Sequence, residues 1–96
     1  MDEKKPEKYF WDRADQIIDL ANEQCDDFGI DEVSSSLMYA AARFNAFVVA
    51  THSTDSEEMK NDRAEAIKHF TAQYRKMLEE NLDDYIKNYA NYDSPA

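Results

Sequence analysis

Five carboxylates in the first third of the chain have the spacing that comes nearest to chemistry. We call them the acidic ridge: Asp12, Asp15, Asp19, Glu23 and Asp26. Carboxylates four residues apart on a helix can share a hard divalent cation, because such ions prefer oxygen ligands. The charged outer face of a helix has the same spacing, and the sequence favours that interpretation. We expect no metal at the acidic ridge, which suits a cationic partner surface better.

Two polar residues, Arg43 and Asn45, interrupt residues 37–50, a run that is otherwise apolar almost all the way round. A buried charge or amide without a partner costs several kcal/mol. We therefore predict that Arg43 pairs with a carboxylate of a neighbouring helix and that Asn45 forms a hydrogen bond across the fold. In the alternative, Tyr39 and Arg43 face a protein partner or an anionic ligand.

No pattern of catalytic residues accompanies these polar groups. Neither His52 nor His69 follows a glutamate by three residues, as a carboxylate-bridged di-iron site requires. Cys25 has no basic neighbour that would activate its thiol, and it is expected to pack as a small apolar residue. We expect no catalytic residue, no enzyme activity, no metal and no cofactor. The alternative is a small ligand or cofactor held between helices by Arg43, Asn45 and His52.

Amphipathic aromatic residues lie at the edges of the predicted core. Trp11 flanks the apolar arc of the first helix, and Tyr85, Tyr89 and Tyr92 extend the apolar side of the last helix to its end. Packing at a core edge explains these residues, and so does an interface, where tryptophan and tyrosine are favoured anchors. We take Trp11, Tyr39, Tyr85 and Tyr89 as candidate partner-binding residues and expect the tyrosine-rich end to support a weak homodimer.

The composition predicts an all-α fold in a single domain. Of the 96 residues 43% are hydrophobic, while one glycine and two prolines leave few turn formers. An all-β fold needs many turns, so a few long helices around one modest core are expected.

The charge and the apolar runs exclude several classes of function. A net charge of −10 disfavours binding to nucleic acid and to anionic membranes. No hydrophobic leader or run of membrane-spanning length is present, and we expect a cytoplasmic protein.

Apolar periodicity predicts three helices, at about 7–27, 31–52 and 57–90, between frayed segments at 1–6 and 91–96. We predict a three-helix bundle whose second helix is central and buried and whose third helix is the longest. A helix that is apolar all round has to be covered.

The helix ends carry recognisable signals. Gly29 is expected to adopt the left-handed conformation that closes the first helix. Asp31, or alternatively Ser34, is expected to cap the second helix. Thr54 with Glu57 and Asp55 with Glu58 both have the spacing of a capping box for the third helix. Asp62 is a second candidate start, and residues 53–62 are left open between helix and mobile loop.

Three stretches of the chain resemble a known family. They are Phe10-Trp11-Asp12-Arg13-Ala14-Asp15 with Leu20-Ala21-Asn22-Glu23-Gln24, Met38-Tyr39-Ala40-Ala41-Ala42-Arg43-Phe44-Asn45-Ala46-Phe47, and Glu80-Asn81-Leu82-Asp83-Asp84-Tyr85. Together they resemble short bacterial proteins grouped as domain of unknown function 3144, with the Ala-Ala-Arg-Phe-Asn-Ala stretch as the most specific part. The resemblance covers nearly the whole chain. It implies a bacterial, cytoplasmic, helical protein and implies no activity.

The function that the sequence favours is a non-enzymatic protein-interaction or regulatory module. Surplus aromatic residues at the core edges, the acidic ridge and the lack of a reactive constellation support it. Its partner is expected to present a basic or apolar surface. Binding of a small ligand or cofactor between helices is the alternative.

Overall fold

The computed structural model describes residues 7–91, which form three α-helices and a short 3-10 helix. They are α1 (Glu7–Gln24), α2 (Ile30–Thr51), α3 (Ser56–Lys87) and η1 (Tyr89–Asn91). No residue of this range lies in a strand. The predicted all-α class, the three helices and the long third helix are confirmed. At about 1.5 Å per residue, the 32 residues of α3 extend over about 48 Å.

The predicted helix boundaries are close to the observed ones. The predicted frayed ends are 1–6 and 91–96, of which Asn91 belongs to η1 and the other residues lie outside the described range. The described residues divide into two compact units, 7–40 and 41–91. The first unit contains α1 and the N-terminal half of α2, and the second contains the rest of α2 and α3.

Gly29 immediately precedes α2 and does not close α1 in a left-handed conformation, so the predicted left-handed cap is wrong. No glycine or other residue of the described range has a positive φ. The last turn of α1 instead tightens, as the backbone N–H groups of Asp26 and Asp27 donate to carbonyl oxygens three residues earlier, each at 3.1 Å. A left-handed residue is therefore not needed to satisfy those carbonyls.

Gly29 is the residue that precedes α2 and caps it. Its carbonyl oxygen accepts the Val33 backbone N–H at 3.0 Å. Its own N–H donates to Glu32 Oε1 at 3.2 Å, which is one half of a capping box. Asp31 and Ser34 lie inside α2. Both predicted N-caps are therefore wrong, because the helix starts earlier than either would allow.

The start of α3 agrees with the predicted capping box. Asp55 is the N-cap, and its side chain accepts the Glu58 backbone N–H at 2.9 Å. The Glu58 carboxylate in turn accepts the Thr54 backbone N–H and the Thr54 hydroxyl, both at 2.7 Å. Helix α3 therefore begins at Ser56, residues 57–61 are helical, and Asp62 is not a helix start.

The predicted burial of the second helix is wrong. Among the described residues Val33 alone is buried, while Phe44 and Phe47 on α2 are 63% and 58% exposed. Val48 and Val49 are half-buried. The apolar residue types of α2 show that its surface is unfavourable in water, but they do not specify what covers it. Over residues 30–51 most of the apolar side chains of α2 are exposed.

Candidate interaction surfaces

One side of α2 carries an exposed apolar strip. At about 100° per residue, four residues fall within an arc of about 80°. We call them the α2 strip: Leu37, Ala40, Phe44 and Phe47. All four are exposed. The ring centroids of Phe44 and Phe47 are 5.7 Å apart with their planes tilted by 49°, so the two rings form one apolar contact surface.

The α2 strip lies in a part of the chain that is almost without charge. Between Val33 and Thr54 the only charged side chain is Arg43. The carboxylates that produce the net charge of −10 lie outside this segment. An apolar partner surface can therefore approach α2 without displacing water from many charged groups.

The polar residues of α2 do not gather into one pocket wall. Arg43 and Asn45 are two residues apart and point about 160° away from each other around the helix. Asn45 is half-buried, and His52, two turns further on, lies on the same side of α2 and is exposed. Tyr39 lies one turn before Arg43, on the same side of α2 as Arg43 and away from Asn45, and it is exposed. The set of Arg43, Asn45 and His52 therefore cannot contact one small ligand from α2.

The predicted ion pair of Arg43 finds no partner within its own unit. The residue is exposed. Within its own unit, over residues 41–91, no carboxylate lies within salt-bridge distance of its guanidinium. An exposed guanidinium is hydrated and gains little from a partner, so nothing requires the pair. Arg43 is available at the edge of the α2 strip.

The acidic ridge is solvated, as the sequence favours. Four of its members lie on one side of α1 and Asp26 follows in the next turn, and all five are exposed. Across residues 7–91 no group of three or more His, Cys, Asp or Glu residues is placed to hold a metal ion. The carboxylates form a line along the helix without converging. Such a line presents negative charge to a cationic surface.

Trp11 belongs to an exposed aromatic pair on α1. Its indole is 57% exposed and contacts the Phe10 ring edge to face, with ring centroids 4.8 Å apart. The half-buried residues of α1 and its following turn are Ala14, Ala21 and Cys25, all on the predicted apolar arc. The small residues of this arc are thus covered, while the large aromatic residues are left at its edge.

The C-terminal end of α3 is the most exposed apolar region of the described residues. Ile86 and Tyr89 are 71% and 79% exposed, whereas Tyr85 is less so. Tyr92 lies outside the described residues. This end therefore offers amphipathic anchors of the type that interfaces use.

Sequence reasoning placed Phe44 and Phe47 in the core and missed them as surface residues. Their residue type alone predicts burial. One signal for the correct answer was available: α2 is apolar nearly all round, but its two neighbouring helices each offer a single apolar stripe.

None of the helices within residues 7–91 is both long enough and apolar enough to cross a lipid bilayer.

The helices and their exposed surfaces define a small all-α protein of three helices with a long third helix. The family described as "Protein of unknown function (DUF3144)" matches residues 10–86, and the chain belongs to this family. The family resemblance of the sequence is thereby confirmed.

A solved structure has the same fold. It is the NMR structure of the protein NB7890A from Shewanella sp, with 34% sequence identity and a TM-score of 0.75. The similarity covers 95% of this chain and 93% of that one. No curated protein matches the chain in sequence.

Proposed function

We propose that the chain is a non-enzymatic protein-interaction module of the bacterial cytoplasm, and that the α2 strip is its principal docking surface. The observation that carries this proposal is the exposure of Phe44 and Phe47, at 63% and 58% of their surface, on a helix almost without charge. Contiguous exposed apolar surface on a folded chain is typical of an interaction site.

The two rings of the α2 strip would stabilise a complex when a partner covers them. Covering what is exposed of one phenylalanine side chain gains about 1–2 kcal/mol. Phe44 and Phe47 are already in contact, so a partner meets a surface that is ordered before binding. Binding then loses little side-chain entropy.

The residue types support a partner that presents an apolar or a basic surface. An apolar surface would meet the α2 strip, and a basic surface would meet the acidic ridge and associate faster at low salt. Trp11, Tyr39, Tyr85 and Tyr89 supply further amphipathic anchors. The same composition disfavours nucleic acid as a partner. Weak self-association through the tyrosine-rich end of α3 belongs to this proposal.

Small-ligand or cofactor binding has less support. It needs several polar groups that converge on one pocket, and α2 directs Arg43 away from Asn45 and His52. A thermal-shift screen of the full chain against a metabolite library tests this alternative. A specific ligand that raises the melting temperature would favour it over an interaction module.

A pull-down from a bacterial lysate at low and at high salt tests the interaction module. Phe47→Ser is compared with Met38→Ser, because Met38 is 59% exposed on the same helix but lies about 140° away from the centre of the α2 strip. We expect the wild type and Met38→Ser to retain a stoichiometric partner that Phe47→Ser loses. The proposal fails if the wild type retains no specific protein, its own untagged copy included, at either salt concentration.

A further inference from the structure

We propose that the partner of the α2 strip is a second copy of this chain, with the two α2 helices packed antiparallel about a two-fold axis. This inference rests on the proposed function and names the occupant of the same surface. It differs from self-association through the end of α3, because the contact is central and formed by phenylalanine side chains.

The described residues expose a large apolar surface. Twenty-one large hydrophobic side chains of the described residues are exposed, and Val33 is the buried one. Because each leaves on the order of 100 Å² uncovered, the set presents on the order of 2,000 Å². A standard stable interface needs about 800 Å² from each partner. The apolar surface is therefore more than sufficient for an obligate dimer, whose interface resembles a domain core cut in half.

The described residues form almost no buried core, which favours a partner that is always present with the chain. A chain whose described part has Val33 as its one buried residue gains much of its apolar burial only when the partner is present. The partner must then be available whenever the chain is made and in equal amount. A second copy of the same chain meets both conditions. Homodimer interfaces are also the more apolar class, as the α2 strip is.

The charge pattern permits two copies to meet at this surface. Two chains of charge −10 repel each other, but the acidic ridge lies on α1, and the segment from Val33 to Thr54 carries Arg43 alone. Salt screens charges that are more than about 8–10 Å apart. The segment of α2 that forms the contact therefore contributes no carboxylate from either chain.

The residue order along α2 is self-complementary. Leu37 and Phe47 lie equally far from residue 42, and so do Ala40 and Phe44. A two-fold axis beside residue 42 therefore sets Leu37 against the partner's Phe47 and Ala40 against the partner's Phe44. Each phenylalanine of the central layer meets an alanine, so the two backbones can approach closely, as in antiparallel helix pairs with knobs-into-holes packing.

Light scattering after size exclusion tests the dimer on the full chain. The wild type is expected at twice the 11.2 kDa of one chain. A mass of 11.2 kDa from micromolar to millimolar concentration would overturn the inference. If such a monomer still retained a different protein in the lysate experiment, the proposed function would stand and only the identity of the partner would be wrong.

Paired charge variants test the register. One variant carries Ala40→Glu with Phe44→Glu, and the other carries Ala40→Lys with Phe44→Lys. Each alone should dimerise about 100-fold more weakly or worse, because like charges face each other across the axis. An equimolar mixture should regain both the dimer mass and the helical circular dichroism signal, which also covers the case in which a single variant fails to fold.

One control locates the contact. Met38→Glu, on another side of α2, should leave the dimer mass unchanged. Dimerisation that survives both paired variants, or a mixture that stays monomeric, would refute the α2 strip as the interface.

Discussion

The Glu58 carboxylate accepts two hydrogen bonds from Thr54, one from its backbone N–H and one from its hydroxyl, each at 2.7 Å. Both bonds stabilise the ionised carboxylate. The hydroxyl of Thr54, and then its backbone N–H, hold the pKa of Glu58 below its ordinary value of 4.5. The folded state therefore binds the Glu58 proton less readily than the unfolded state does, and stability gains from this group above pH 4.5.

We predict that Glu58→Gln lowers the melting temperature at neutral pH and that this difference shrinks as the pH falls through and below 4.5. The reason is that protonation removes the same charge from the wild type. Thermal unfolding followed by circular dichroism at a series of pH values measures it. Glu65→Gln, in the interior of α3, serves as the control and should not reproduce the pH-dependent difference. A difference that persists unchanged into acid would contradict the role of the charge.

We predict that Asp55→Ala destabilises the protein by about 1 kcal/mol, the usual cost of losing an N-cap side chain. The substitution removes the acceptor of the Glu58 backbone N–H. Asp62→Ala is the matched control, because Asp62 lies inside α3 and caps nothing. Urea unfolding measures both variants. Equal effects of the two substitutions would show that α3 does not begin at Ser56.

We predict that Gly29→Ser stabilises the protein by about 0.5–1 kcal/mol. Gly29 caps α2 without a positive φ, and a Cβ there would lie 3.7 Å from the nearest atom of Glu32, an ordinary van der Waals distance. Serine is the better N-cap and also restricts the unfolded chain. A melting temperature lower than that of the wild type would indicate the left-handed conformation that the sequence predicts for Gly29.

We predict that Arg43→Ala changes the free energy of unfolding by no more than about 0.5 kcal/mol, because the side chain is exposed and has no carboxylate partner in its unit. Urea unfolding of the two proteins at the same concentration measures the change. A loss of several kcal/mol would instead reveal the buried ion pair that residue types predict. The comparison thus separates a structural role of Arg43 from a role at the edge of the α2 strip.

Local features of the fold are readable from the sequence. The three helices follow from the apolar period, and the cap of α3 follows from Asp55 and the glutamate three residues later. The exposure of the acidic ridge follows from its place opposite the apolar arc of α1. All of these depend on residues within about one or two helical turns of each other, so nearby chain positions are enough to determine them.

Gly29 shows where local signals stop being sufficient. A lone glycine between two helices fits the end of the first as well as the start of the second. The choice depends on how the last turn of α1 satisfies its carbonyls and on whether the Glu32 side chain reaches the Gly29 N–H. Residue types alone do not distinguish these two outcomes.

The sequence by itself determined the helices, the cap at the start of α3 and the family of this protein, while only the tertiary structure decided which apolar surfaces are covered. Phe44 and Phe47 are of a residue type that is usual in a core, but both are exposed as residues of an interface are. The physical reason is that helix formation is governed by neighbours along the chain, whereas burial depends on surfaces that come from distant positions or from another molecule.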